Sequence, residues 1–453
     1  MDSPNLRWLD AESPMRDAPS GGAGRSRIVS SEKARILSLV DEAVDGRWTR
    51  RRVIQRGVAL GLTPPAIGAA LSRFSVRSAA AQGEPVQVSI LNREMTHDEI
   101  VAEIQNEGTV NVGNWTYTAN DTLIAKFVEY VKDSYGVDIT LNYEASQAPS
   151  TYITNLYTAL QSGNPPSYDV MAIEENYWAE AMSQPEPVAE EFLPSGLIPN
   201  AERVLEMFQH FPTAVGFQAS ASPGIVYDKE RAPFLADWTD LADERLQGRL
   251  TMPIPGDVTS GGMLLGIADS LGLDYKNPDQ MKEAIDFAIQ KIHPNVLQYT
   301  TDSATMQQLL RSGVVDAVGF WNSLARMEFL NGQANTAFMI AKSGQYLVNG
   351  YMWIPKGTPH PVLAQVFVNW RLSDEAQFPP ESWGLEHGPW AELNEGILGE
   401  SYADLIPEWF ADDYFNYYPT IEQLSTNYKS VDWDYYAEHV GEWMDDYSQG
   451  IGQ

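Results

Sequence analysis

Val110-Asn111-Val112-Gly113, then Asp121-Thr122-Leu123-Ile124-Ala125-Lys126-Phe127-Val128-Glu129-Tyr130-Val131-Lys132-Asp133-Ser134-Tyr135, then Val137-Asp138-Ile139-Thr140-Leu141-Asn142-Tyr143, reads as strand, helix, strand. Leu123, Ile124, Phe127, Val128 and Val131 share one helical face, while Val137 to Tyr143 alternates with the period of a half-buried strand. A helix of this length between two strands is the connection that parallel strands require. The rhythm continues downstream. Ser150 to Ser162 is a predicted helix stopped by Gly163-Asn164-Pro165-Pro166, Tyr168 to Ile173 a strand, and Glu174 to Met182 a helix opening at that strand's carboxyl end. Ile225 to Tyr227 and Leu250 to Met252 are further strands, Asp237 to Arg249 a loop and helix, and Thr259 to Leu271 and Asn277 to Ile292 helices. The fold class is α/β with largely parallel sheets, and its ligands sit outside the carboxyl ends of the strands.

The segment before this body has a different character. Thr49-Arg50-Arg51-Arg52-Val53-Ile54-Gln55, followed by the apolar run Val53 to Leu71 and by Ala79-Ala80-Ala81, resembles a twin-arginine export signal cleaved before Gln82. Gly57, Gly61, Pro64, Pro65 and Gly68 weaken the run as a membrane anchor. Residues 1–81 are therefore read as a leader, with a short amphipathic helix predicted over Ser31 to Val44. Residues 82–108 are a lead-in in which Thr96-His97-Asp98-Glu99 has the pattern of a helix cap and first turn.

After residue 81 the chain carries 17 lysines and arginines against 53 aspartates and glutamates, a net charge near −36. Such a surface repels nucleic acid and anionic lipid, and keeps an exported protein soluble and, by expectation, monomeric. Absence of cysteine removes disulfides, thiol nucleophiles, cysteine-bound metals and the attachment point of a lipoprotein.

Gly224-Ile225-Val226-Tyr227-Asp228-Lys229, then Asp237-Trp238-Thr239-Asp240-Leu241, then Leu246-Gln247-Gly248-Arg249-Leu250, resembles the extracellular solute-binding proteins of ABC importers. Asn114-Trp115-Thr116, Gly319-Phe320-Trp321-Asn322 and Trp353-Ile354-Pro355-Lys356-Gly357 are similar to the spermidine/putrescine-binding branch, and the likeness runs from Thr109 onward. The resemblance implies a two-lobed periplasmic binding protein of type II, with a hinge between lobes, closing on one small solute and presenting it to the transmembrane subunits of a permease. Lobe 1 is expected to take 109–216 and 350–393, and lobe 2 217–349 and 394–453.

In that branch aromatic rings sandwich the solute's methylene chain and carboxylates hold its ammonium groups. Carried over by position, the resemblance implies Trp115, Tyr177 and Trp321 as the aromatics, with Tyr117 and Asn322 beside them. The branch's carboxylate positions fall here on Thr259, Gly262 and Gly350, Asp257 substituting for the first pair only by a shift, with Tyr351 next to the last, and a nearby cleft aromatic becomes Val348. Compensating acids are sought in Glu174 and Glu175 at the third strand's end and in Asp434 of Trp433-Asp434-Tyr435. Each has a plain structural alternative: Glu174 and Glu175 as macrodipole partners of a helix start, Asp434 as solvated surface, Trp115 and Trp321 as core.

Gly256 to Gly262, with Thr259 and Ser260 opening a helix, has the composition to offer backbone N–H groups to an anion, which would suit a zwitterionic solute such as γ-aminobutyrate or an aminophosphonate. Thiamine is a further candidate. A ferric-binding version of the fold would use tyrosinates, for which Tyr417-Tyr418 and Tyr435-Tyr436 are the candidate pairs. A secreted hydrolase is the enzyme alternative. No acid pair is singled out by a motif, no Gly-x-Ser-x-Gly elbow is present, and His97, His210, His293, His360, His387 and His439 lack metal-ligand spacing. No catalytic residue, cofactor or metal is therefore assigned.

Overall fold

The computed structural model describes residues 85–114, 121–144, 149–186, 188–218, 222–330, 332–373 and 421–452, together with Leu39 and Ala376. The leader apart from Leu39, together with Trp115, Tyr117, His387 and the Tyr417-Tyr418 pair, lies outside the described residues.

A hairpin of β1 (Val86–Val88) and β2 (Arg93–Met95) precedes α1 (His97–Glu107). The Thr96 side chain accepts the Glu99 N–H while the Glu99 carboxylate takes the Thr96 N–H at 2.8 Å, so two otherwise unpaired donors satisfy each other. The helix stops at Gly108, whose φ of 62° is the left-handed turn that glycine adopts without strain.

Then come β3 (Thr109–Asn114), α2 (Asp121–Tyr135), β4 (Thr140–Glu144), α3 (Pro149–Gln161), β5 (Val170–Glu174), α4 (Glu175–Met182), β6 (Gln209–His210) and β7 (Ala214–Gln218). The second strand starts three residues later than the alternation predicts. Val137 and Ile139 do point inward, but they join the core from the connection, because hydrophobic alternation reports burial and not ladder pairing.

After β7 follow β8 (Pro223–Asp228), β9 (Leu250–Met252), α5 (Val258–Ser270), α6 (Pro278–Phe287), β10 (Val296–Tyr299), α7 (Ser303–Arg311), β11 (Ala317–Trp321), α8 (Asn322–Leu330) and β12 (Thr336–Met339). The Asp237 to Arg249 stretch forms two short 3₁₀ turns, Trp238–Ala242 and Glu244–Leu246, and the helix predicted to Ile292 ends in a π turn from Ala288. The described chain closes with β13 (Gln345–Leu347), β14 (Gly350–Trp353), α9 (Pro361–Arg371), α10 (Ile421–Thr426), β15 (Tyr428–Ser430) and α11 (Trp433–Ile451).

Two large sheets hold most of these strands, while β13 and β15 pair in parallel apart from them. The first has the order β4-β3-β5-β14-β7-β6, the second β10-β9-β11-β8-β12. β3, β4 and β5 are parallel, β14 runs against β5 and β7, and Gly350 lies opposite both Glu174 and Gln218. In the second sheet β8 runs against β11 and β12, so Pro223 lies opposite Trp321. The carboxyl ends of β5, β7, β11 and β12 therefore lie where the chain passes from one sheet to the other. Five residue steps separate Gln218 from Pro223, which caps that passage at roughly 18 Å even if fully extended. The two carboxyl edges are held close by covalent reach alone.

Phe127, Phe367 and Trp370 pack ring on ring between the first sheet and its helices. Trp238 anchors the core of the second, fully buried, with its indole N–H donated to the Gly344 carbonyl at 3.0 Å. A side chain at Gly266 of α5 would collide with that indole, at Gly262 with the Pro223 ring, and at Gly261 with the Tyr436 hydroxyl. Glycine in a helix interior costs roughly 0.5–1 kcal/mol relative to alanine. Here close approach of three neighbours demands it.

Candidate functional site

The two carboxyl edges each present a helix start. On the first sheet α4 begins directly after β5, with Glu174 at the N-cap position, extended at φ −62° and ψ 149° and making no side-chain cap bond to the helix. On the second, α5 begins at Asp257, whose carboxylate accepts the Thr259 N–H at 2.8 Å and also the Thr259 hydroxyl. Tyr177, half-buried on the first turn of α4, joins these regions. Burial, then the carboxylates of Glu174, Glu180 and Asp257, push its hydroxyl up to about 12. Charges from both layers thus act on one phenol. Asp257 also raises the Tyr436 hydroxyl, after burial, which places the first turns of α11 beside the same helix start.

Trp321 ends β11, partly exposed, and packs against the core of the second sheet. Its strand neighbour Pro223 sits under Gly262 of α5, so the indole and the Asp257 helix start share one edge.

The other expected residues are placed differently. Tyr351 is fully buried, its ring tilted against His210 at 4.7 Å between centroids, so it presents no surface to a solute. β14 is a central strand of its sheet, and the face that carries Tyr351 is covered. Asn322, 3% exposed, accepts the Ser323 N–H at 3.1 Å, and Thr259, 2% exposed, is held by Asp257. Both shape helix starts and offer no open surface. Glu175 turns away from the cleft: its carboxylate meets His210 Nε2 at 2.5 Å, and Asn349 reaches its other oxygen at 3.4 Å. Two residues on a helix are roughly 200° apart, so Glu175 and Tyr177 point to opposite sides of α4. Asp434, exposed in the first turn of α11, lies with Glu175 on a separate groove.

Sequence reasoning passed over Trp178, reached Asp257 only as a shifted substitute for the branch's carboxylates, and named Tyr436 and His210 only in the ferric pair and among the histidines. The signal for Asp257 was available in Asp257-Val258-Thr259, an acid two residues before a threonine at the start of a helical run. Tyr436 carried no local signal, because only the long-range docking of α11 brings it to α5.

The glycine-rich helix start is already satisfied. Ser260 and Gly261 N–H groups reach the Asp257 carbonyl at 3.0 and 3.3 Å, and the Asp257 carboxylate covers Thr259, so an incoming anion meets a negative cap in place of free donors. Tyr435 and Tyr436 likewise separate: Tyr435 donates to the Lys276 carbonyl at 2.9 Å, while Tyr436 packs on Gly261. No group of three His, Cys, Asp or Glu side chains able to hold a metal ion occurs among the described residues.

Compared with known families, residues 122–379 match the sequence model of a bacterial extracellular solute-binding protein. The chain belongs to that family. Its members are the substrate-binding components of ABC transporters, placed outside the cytoplasmic membrane, and no helix among the described residues is long and apolar enough to cross a membrane. Solved structures share the fold. An ABC transporter protein from Clostridium perfringens superposes with a TM-score of 0.59 at 18% identity, covering 76% of this chain and 99% of its own. The spermidine/putrescine ABC transporter substrate-binding protein of Streptococcus pneumoniae gives 0.58 at 19% identity, covering 76% and 98%. A GABA receptor gives 0.55 at 18% identity, covering 76% and 97%. The two-sheet α/β architecture is the two-lobed fold of these periplasmic binding proteins. No curated protein sequence matches this chain.

Proposed function

We propose that this solute-binding protein captures a small organic cation, a di- or polyamine of the spermidine or putrescine class, and passes it to the transmembrane subunits of an ABC importer. What supports this reading is the placing of Glu174 and Tyr177 at the carboxyl end of β5 and of Trp321 and the Asp257 helix start on the carboxyl edge of the second sheet, with burial and then the charges of Glu174, Glu180 and Asp257 raising the Tyr177 hydroxyl. Carboxylates hold ammonium groups by charge-assisted hydrogen bonds, and ring faces accept the cation and its methylene chain. Trp321 supplies the second sheet's ring. The capped α5 start disfavours a zwitterion, whose anionic end would face Asp257.

Capture works by population shift: a solute touching both edges stabilises the closed arrangement, and the permease reads that arrangement. Export through the twin-arginine leader, the lobe boundaries given above, action as a monomer and the absence of covalent chemistry belong to the same proposal.

Thermal unfolding against putrescine, spermidine, γ-aminobutyrate, aminoethylphosphonate, thiamine and ferric citrate tests it. A ligand at one hundred times its Kd adds about 2.7 kcal/mol to the native state. The melting temperature is expected to rise with the two amines. A rise with only the zwitterions, thiamine or iron, or with none of the panel, would overturn the polyamine reading.

A further inference from the structure

Phe211, Ile254, Leu297 and Val314 are the large apolar side chains left exposed among the described residues, and of these Ile254, 42% exposed, is the one at the carboxyl edge of the second sheet. A lone isoleucine on a surface is ordinary, so its setting has to decide whether it matters. It lies in Pro253-Ile254-Pro255-Gly256-Asp257, between the end of β9 and the start of α5. The Asp257 N–H is donated to the Ile254 carbonyl at 3.3 Å, and Pro255 and Gly256, the latter at φ 91°, take the two corner positions that a type II turn gives to proline and glycine. A residue that precedes proline is itself held extended, so the backbone of Ile254 is fixed from both sides. An apolar side chain presented on a rigid turn loses little freedom when something packs on it.

Its neighbours are groups of the proposed cleft. The parallel ladder of β9 and β11 sets Leu250 opposite Ala317 and Thr251 opposite Val318. A side chain on Gly319 would collide with the Pro253 ring, so the two chains stay in contact beyond the last ladder pair. Carried forward four residues, that register sets Ile254 level with Trp321, about 4.8 Å away across one strand spacing. On the other strand direction the turn holds the Cα atoms of Ile254 and Asp257 within about 7 Å. Asp257 acts on the hydroxyl of Tyr177, so this turn lies on the side of the second sheet that faces α4.

We propose that Ile254 is a specificity-determining residue of the cleft, the surface on which the solute's methylene run lies between an ammonium group at Asp257 and the ring of Trp321. The inference rests on the amine reading above and adds a preference to it, for amino groups separated by an unbroken hydrocarbon run. Each further methylene that Ile254 covers strengthens binding by up to about fourfold, until the run outgrows the side chain. An oxygen within the run would be laid on a side chain that cannot hydrogen-bond to it, and weakens binding.

Titration calorimetry with trimethylenediamine, putrescine, cadaverine and hexamethylenediamine provides the test, together with the ether analogue of cadaverine in which oxygen replaces the central methylene. In the parent protein affinity is expected to climb along the series by roughly two- to fourfold per methylene, with cadaverine well ahead of its ether analogue. Ile254→Ser is expected to flatten the climb and narrow that gap while changing trimethylenediamine only slightly. Ile254→Leu, which keeps the apolar area, is expected to preserve the climb. Val314→Ser, at a 47% exposed position before the amino end of β11 and so at the opposite edge of the same sheet, is expected to preserve it too. An unchanged climb in Ile254→Ser, an equal loss for every diamine in that variant, or flattening in Val314→Ser would each overturn the proposal. Diamines that bind the parent without any climb would overturn the role of Ile254 alone, whereas no heat from the parent with any of them would overturn the amine reading and this inference with it.

Discussion

Among the acids that stand at helix starts, Glu107, Asp257 and Glu174 are used differently. Glu107 reaches from α1 across to α9, its two oxygens accepting the Val362 and Leu363 N–H groups at 2.9 and 2.7 Å. Asp257 caps its own helix α5 through Thr259. Glu174 precedes α4 and makes no cap bond to it. The first is a structural tie remote from the cleft, the second is shared between helix and cleft, and the third has a carboxylate the helix does not engage. An acid at a helix start is thus a functional candidate only once its oxygens have been followed. Macrodipole alone does not distinguish the three.

The largest effect that would sharpen the contrast is on stability at Glu107. Burial pushes its carboxyl up to about 7, against backbone hydrogen bonds that pull the other way. The folded state therefore holds a proton that the unfolded chain has released, and the associated stability is present below pH 4.5 and lost as pH rises through 7. From the linkage relation the loss reaches up to about 3 kcal/mol. Glu107→Gln should flatten that slope in urea unfolding followed between pH 5 and 8, and an unchanged slope would show that the carboxyl titrates normally.

Glu174→Gln comes next, and should act on affinity. Loss of one charge-assisted bond of about 1.5–3 kcal/mol corresponds to a roughly 10- to 150-fold weaker amine, with the empty protein's melting temperature little changed. A large fall in that melting temperature with affinity intact would make Glu174 a structural acid like Glu107. Asp257→Ala should show both symptoms in smaller measure: about 1 kcal/mol of stability from the lost cap, read by denaturant unfolding, and a weaker amine in the same sample. Trp321→Ala should remove most amine affinity while the empty protein melts within a few degrees of the parent. The smallest change is expected from Tyr177→Phe, which keeps the ring and should alter affinity only a few-fold by titration calorimetry. A loss as large as that of Glu174→Gln would give the hydroxyl a direct role.

Much of this was legible in the residues. The Val110 to Tyr143 stretch announces parallel strands, Thr96 to Glu99 announces a helix start, and the Gly224 to Leu250 segments carry the family. What was not legible is direction. Glu174 and Glu175 are neighbours of one type, yet helix geometry sends one toward the cleft edge and the other to His210, a partner 35 residues away. The glycines of α5 were open to an anion-binding reading, whereas long-range packing of Pro223, Trp238 and Tyr436 is what requires them. Tyr351 fell beside a family ligand position, but pairing of β14 on both sides buries it. Tertiary contacts, absent from any local pattern, decided each case.

The claim on which the rest depends is that acids from both layers hold one amine. Calorimetric titration of spermidine into the parent protein and into the Glu174→Gln, Asp257→Asn double variant addresses it directly. The account predicts saturable binding to the parent and at least a hundredfold weakening in the double variant, about 2.7 kcal/mol or more. Equal affinity in the two proteins, or no heat from the parent, would contradict it.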